Sequence, residues 1–279
     1  MAVPPIVRRA DWGGDLPSGP LVAEDVRFLL VHHTAEPGND YGPDDPVRLL
    51  RGIHAFHTGA SKGWPDVAYN FFVDRYGTIY EGRAGSVDGP VRGSATGGNQ
   101  GYSQLCCFLG DHTSEPPTPE ALGAMWSLLA WLADRYSIDT GPGATARFTS
   151  LGSNRWPAGA AVETATISAH RDVSQTTCPG DACYALVRTT FPVEVSARRA
   201  PGPAATTTTA PPGTAPGPTT PATTGSAPTS VRAAPERDEP AAAGGPAGQD
   251  EERWPLVAGA GALAAAAVAG VVALRRRRG

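Results

Sequence analysis

The sequence predicts an α/β fold over residues 5–198, a central mixed β-sheet flanked by helices. It predicts a disordered linker over 199–253, one C-terminal transmembrane helix over 254–274 and a short basic tail over 275–279. Three observations lead there. β-prone runs alternate with runs of helical period, the pattern of a sheet covered by helices. All six histidines and all four cysteines fall before residue 199, so one segment of ordinary domain size holds both core and chemistry. Beyond it the chain is Thr, Pro, Ala and Gly with almost no large apolar residue, too little burial to offset the entropy of ordering it.

Residues 26–33 form the first long strand, with Phe28, Leu30 and His32 on one side and Leu29, Val31 and His33 on the other. Residues 47–57 carry Val47, Leu50, Ile53 and Phe56 at helical spacing, and Thr58-Gly59 stops the run. Residues 69–73 and 78–81 are β-prone on either side of Asp74-Arg75-Tyr76-Gly77, a hairpin signal. A strand over 105–109 points Cys106 and Cys107 to opposite faces. Thr118 and Pro119 suit the N-cap and first turn of a long helix through Tyr136. The turn-rich stretch 140–163 reads as an added surface hairpin, 164–169 as the last strand, and Asp181 as the start of a closing helix.

Residues 254–274 run 21 positions without a charge, about 30 Å as a helix and so the thickness of a bilayer core. The arginines at 275–278 place the C-terminus in the cytoplasm, making this a single-pass membrane protein with its domain outside. No Leu-Pro-x-Thr-Gly sorting signal precedes the run. The first residues contain no apolar signal core, so an export signal is expected upstream of this start. The formal charge is −4 and no basic stripe is present, which excludes nucleic acid as a partner; a monomer is expected.

The chemistry concentrates in Ile167-Ser-Ala-His170-Arg-Asp-Val-Ser-Gln-Thr176-Thr-Cys178-Pro179. A strand ends on histidine and a cysteine returns eight residues later, while the strand over 26–33 also ends on histidine. Two imidazoles and a thiolate from separate points form an open three-ligand set for Zn2+, which leaves a position for water and points to metal-assisted hydrolysis. A Cys178–Cys183 disulfide is the competing reading of that cysteine, and no C-x-x-C pair suggests a structural zinc. His54 and His57 form an H-x-x-H pair on the first helix, but without the glutamate of the metalloprotease motif. Asp172 could orient His170 through its other ring nitrogen or pair with Arg171; His112, in a loop, carries no argument.

His32-His33-Thr34, Gly-Trp-Pro-Asp-Val-Ala-Tyr-Asn-Phe at 63–71, Ile-Tyr-Glu-Gly-Arg at 79–83 and the 170–178 run occur in that order. Together they resemble the peptidoglycan recognition protein family, which is related to the type 2 N-acetylmuramoyl-L-alanine amidases, and the resemblance covers residues 5–195. It implies zinc held by His32, His170 and Cys178, with Tyr69 as the catalytic tyrosine, whose competing reading is an ordinary strand aromatic. Thr176 then stands at a catalytic position that other members fill with lysine or threonine. Substrate contacts are implied at His33, Thr34, His57, Lys62, Gly63 and Trp64, with His33 alternatively supporting the metal or merely packed.

The implied activity is hydrolysis of the amide between N-acetylmuramic acid and L-alanine in peptidoglycan. The alternative is a non-catalytic peptidoglycan-binding receptor; binding-only members typically lack the cysteine, which is present here. The Gly63-Trp64 pair implies stems carrying meso-diaminopimelate, whose extra carboxylate Lys62 could meet. Two departures stand out: residues 93–96 lack the histidine that members of this family often carry, and Gln104-Leu-Cys-Cys replaces a Ser/Thr-Ile-Gly-Val type of strand.

Overall fold

The computed structural model describes residues 1–97 and 101–199. The expected linker beyond 199, the transmembrane helix at 254–274 and the basic tail lie outside the described residues. Among those described, no helix is long and apolar enough to cross a membrane.

In chain order the elements are β1 (Ile6–Val7), α1 (Arg9–Gly13), β2 (Phe28–His33), α2 (Pro46–Thr58), β3 (Phe71–Val73), β4 (Ile79–Glu81) and β5 (Ser103–Phe108). There follow α3 (Pro119–Arg135), β6 (Thr145–Thr149), β7 (Ala161–Ala165), β8 (Ile167–Ala169), α4 (His170–Val173), α5 (Asp181–Thr189) and α6 (Phe191–Arg199). The main sheet has strand order β1-β4-β3-β5-β2-β8. Only β3 and β4 pair antiparallel and the other neighbours are parallel, so the sheet is mixed as expected.

Strand parity divides the core into two layers. Leu29, Val31, Phe71, Val73, Cys106 and Phe108 face α3, α5 and α6, where Met125, Leu128, Leu129, Val187 and Phe191 pack on them. Phe28, Leu30, Phe72, Leu105 and Cys107 face the other way, towards Leu50 and Ile53 of α2 and towards Tyr69. Cys106 and Cys107 thus separate to opposite faces. Helix α3 begins where its sequence says: Thr118 Oγ1 accepts from Ala121 N at 3.2 Å, and Pro119 costs nothing at a position whose N–H has no helical partner.

Three expectations are corrected. Tyr69 precedes β3 rather than lying within it. The strand expected over 164–169 is split at Thr166, because β7 pairs with β6 in a separate two-stranded sheet while β8 joins the main one. The Thr166 backbone serves both sides of that break, its N–H donating to Ala144 and its carbonyl accepting from Leu29 N at 2.8 Å. The closing helix is two helices, broken before Pro192, which has no N–H to continue the α5 ladder.

Candidate metal centre

Strands β2 and β8 run parallel with Leu29, Leu30 and Val31 opposite Ile167, Ser168 and Ala169. The next residues along the two strands are His32 and His170, and their rings lie 4.5 Å apart between centroids. The chain turns through α4 and returns, with Arg171 N donating to Cys178 O at 3.1 Å. That return sets Cys178 Sγ 3.6 Å from His32 Nδ1, and His33 N donates to the same sulfur at 3.4 Å. One ligand atom from each of His32, His170 and Cys178 lies within 4.8 Å of the other two.

This set fits a metal ion. Burial holds the His32 imidazole well below its usual range and pushes His170 down to about 4, so both rings are neutral at pH 7 and keep a lone pair to donate. His32 is fully buried, and its Nε2 meets no hydrogen-bond partner, a cost that a ligand at that atom removes. None of the four cysteines is in a disulfide, so the competing Cys178–Cys183 bridge is not formed.

Around the trio the sequence expectations separate. Tyr69, 1% exposed, stands beside both His32, at 5.0 Å between ring centroids, and His57, at 5.8 Å. His57 also lies 4.9 Å from the Trp64 ring, and its Nδ1 accepts from Ala68 N at 3.1 Å. Burial, with help from the Lys62 and Arg83 charges, lowers the His57 imidazole to about 3. Lys62 Nζ sits over the Trp64 and Phe56 rings at 5.3 and 5.8 Å. The exposed Gly63 has φ of 61°, a conformation that side-chain-bearing residues rarely adopt. His57, Lys62, Gly63, Trp64 and Tyr69 therefore form one continuous flank of the site.

His33 and Thr34 do not belong to it. β-Parity turns His33 to the opposite face, where its buried Nδ1 accepts from His112 N at 3.1 Å and Asp111 lies 3.7 Å away. Thr34 is 1% exposed and its Oγ1 accepts from Gly110 N at 2.9 Å, tying the ends of β2 and β5. Both side chains are engaged by backbone N–H groups of the 110–112 turn. Asp172 is likewise corrected: it accepts from Ala169 N at 2.8 Å and from Tyr184 OH at 2.8 Å, closing the start of α4. Arg171 pairs with Asp181 at 2.6 Å instead. Thr176 Oγ1 accepts from Cys178 N at 3.2 Å, so its hydroxyl shapes the turn that presents the thiol.

The helix pair His54 and His57 does not converge on a metal set, since His54 Nε2 is 2.8 Å from Pro17 O and beside Asp66. Two further buried groups escaped the sequence reading. Arg83 is buried and spans Val67 O, Arg92 O and Ser94 Oγ at 2.5–3.0 Å, which ties the stretch before Tyr69 to residues 92–94. His112 backs His33 from a loop. At the altered strand, Gln104 Nε2 donates to Glu24 Oε1 at 2.6 Å, and burial pushes the Glu24 carboxyl up to about 8. A cavity of about 470 Å³ bordered by Arg8, Arg9, Glu81 and Asp88 lies apart and contains none of the candidate residues.

The N-acetylmuramoyl-L-alanine amidase family profile matches residues 22–181, more than half of the chain and the whole stretch from β2 to the return of Cys178. The chain belongs to that family. The amidase-family domain is 28% identical over 186 residues to peptidoglycan-recognition protein SC2 of Drosophila simulans, covering 66% of this chain and 85% of that relative. It resembles the structure of human PGRP-IβC in complex with glycosamyl muramyl pentapeptide at 26% identity and TM-score 0.52, covering 67% of this chain and 97% of that one. It also resembles peptidoglycan recognition protein LE, solved with tracheal cytotoxin, a monomeric diaminopimelic acid-type peptidoglycan, at 28% identity and TM-score 0.50, over 66% of this chain and 92% of that one. These likenesses support peptidoglycan binding or amidase activity for the amidase-family domain.

Proposed function

We propose that this protein is a zinc-dependent N-acetylmuramoyl-L-alanine amidase that cleaves the amide between N-acetylmuramic acid and the stem peptide of peptidoglycan. The observation that carries the reading is the convergence of the Cys178 thiol with His32 and His170 from opposite ends of the domain. Binding a muropeptide needs no such set, and burying it without a ligand leaves His32 Nε2 unpartnered. Zinc, when bound, supplies Lewis acidity towards the amide carbonyl and its attacking water.

The chain's own residues do the rest. The Tyr69 phenol, beside His32, donates to the carbonyl oxygen as negative charge develops on it. Thr176 holds the Cys178 backbone in its turn rather than moving a proton. His57, kept neutral by burial, packs Tyr69 against Trp64. Trp64 offers an apolar wall to the stem, Gly63 admits close backbone approach, and the Lys62 ammonium beside Trp64 suits the additional carboxylate of meso-diaminopimelate. The relative bound to diaminopimelic acid-type peptidoglycan supports that stem type. The apolar run at 254–274 further supports action on the outer side of a membrane, which protease treatment of wall-stripped cells tests by release of the domain.

The deciding experiment pairs metal analysis of the purified chain with digestion of purified cell wall. The reading expects about one zinc per chain and new N-terminal L-alanine on released peptides. Tight muropeptide binding with neither zinc nor new amino termini would establish a receptor instead.

A further inference from the structure

The amidase reading leaves the β6–β7 hairpin without a role, although its tip touches the loop that carries two of the three ligands. Residues 171–177 must bring Cys178 back from His170, and within them Gln175 and Thr177 are exposed and α4 contributes only the four residues His170–Val173. Of residues 171–177 only Val173 is buried, so hydrogen bonds do most of the work of holding the stretch. Three consecutive residues of the hairpin supply bonds. Asn154 meets both backbone groups of Gln175, its Oδ1 accepting from Gln175 N at 2.7 Å and its Nδ2 donating to Gln175 O at 3.0 Å. The same Oδ1 accepts from Ser174 Oγ at 2.9 Å. Arg155 Nη1 donates to Arg171 O at 2.6 Å, and Ser153 Oγ to Val173 O at 3.4 Å.

The tip is itself anchored: Ser153 N donates to Trp156 O at 2.9 Å, and Trp156 packs on the core layer that faces the site. We propose that this tip is a clamp that holds the metal-bearing loop in ligating register, with Asn154 as its positioning residue; the inference rests on the zinc reading above. The physical ground is preorganisation. A loop pinned through its backbone loses less conformational freedom when the ion binds, so more of the ligation free energy appears as affinity.

The test uses the full chain and measures zinc affinity by competition with a chromophoric chelator, alongside the visible spectrum of the cobalt-substituted protein. Asn154→Ala is expected to weaken zinc binding about tenfold and to alter the cobalt bands, with the circular dichroism of the fold retained. Asn154→Asp keeps the acceptor and loses the donor, so it falls between wild type and alanine; it is the variant to read if alanine does not fold. Arg147→Ala breaks the 2.6 Å pair with Glu163 in the stem of the same hairpin and leaves zinc affinity unchanged. Wild-type affinity in both Asn154 variants overturns the clamp while leaving the amidase reading intact. Equal losses in Asn154→Ala and Arg147→Ala also overturn it, because hairpin stability alone then sets affinity. A wild-type chain that takes up no zinc sinks the functional reading first and the clamp with it.

Discussion

The trio at the end of β2 and the histidine pair on α2 both bury imidazoles, yet they are different kinds of place. On α2 the ring nitrogens are engaged by backbone: His54 Nε2 lies against Pro17 O and His57 Nδ1 accepts from Ala68 N. In the trio, His32 Nε2 has no protein partner, and its neighbours are a second imidazole and a sulfur. H-x-x-H spacing on one helix face is therefore not what makes a site here. Convergence of unlike donors from distant segments, with a buried nitrogen left over, is.

The largest expected effect breaks or keeps that distinction directly. Cys178→Ser should remove bound zinc and lower turnover at least about 100-fold, the upper end of what loss of an outer partner of a metal ligand costs. A serine hydroxyl stays protonated at neutral pH and is a poor ligand. His32→Ala and His170→Ala should match it, and full zinc occupancy in the serine variant would dissolve the assigned trio. Next in size, Tyr69→Phe should lose about 100-fold in kcat, the scale of one donor to a developing oxyanion, while keeping its zinc. An unchanged kcat would make Tyr69 a packing aromatic only.

His54→Ala sharpens the other half of the comparison. It should cost about 1–3 kcal/mol in urea denaturation by emptying the buried site of the imidazole and removing its contact with Pro17 O, with zinc content and kcat unaltered. Loss of zinc in that variant would erase the difference between the two histidine sets. A last effect concerns a titrating group outside both. Folding raises the Glu24 carboxyl from 4.5 to about 8 through burial, so the folded chain holds a proton there that the unfolded chain releases sooner. That stability is whole below the unfolded value and is lost as pH rises through about 8. Glu24→Gln should therefore flatten the alkaline decline in urea midpoints between about pH 5 and about pH 9. Parallel curves for the two proteins would show that Glu24 does not titrate on folding.

Much of this was legible because local signals agreed with the final packing. Helix α3 carries its cap and proline in sequence, and the two faces of β2 follow from counting back along Phe28, Leu30 and His32. What stayed hidden depended on partners far along the chain. β1 has two residues and exists through pairing with β4, so it has no period to detect. His33 and Thr34 read as site neighbours because they adjoin His32, but their hydrogen bonds to His112 N and Gly110 N draw them into the structure. Arg83 looked like the tail of a motif, and only folding brings Val67, Arg92 and Ser94 to its guanidinium. The break at Thr166 escaped for the same reason, since a backbone shared between two sheets leaves no mark on side-chain pattern.

The parallel pairing of β2 with β8 has a consequence for timing. His32 and Cys178 stand 146 residues apart in sequence, so the donor set is complete only when nearly the whole domain has been synthesised and β8 has docked beside β2. A nascent or half-folded chain offers His32 without its companions. An ion held across that span also ties the first long strand to the last, a cross-link closing almost the entire domain. On the proposed reading, metal uptake and completion of the fold are then one event, and a chain that has not finished folding has no ligand set to act through.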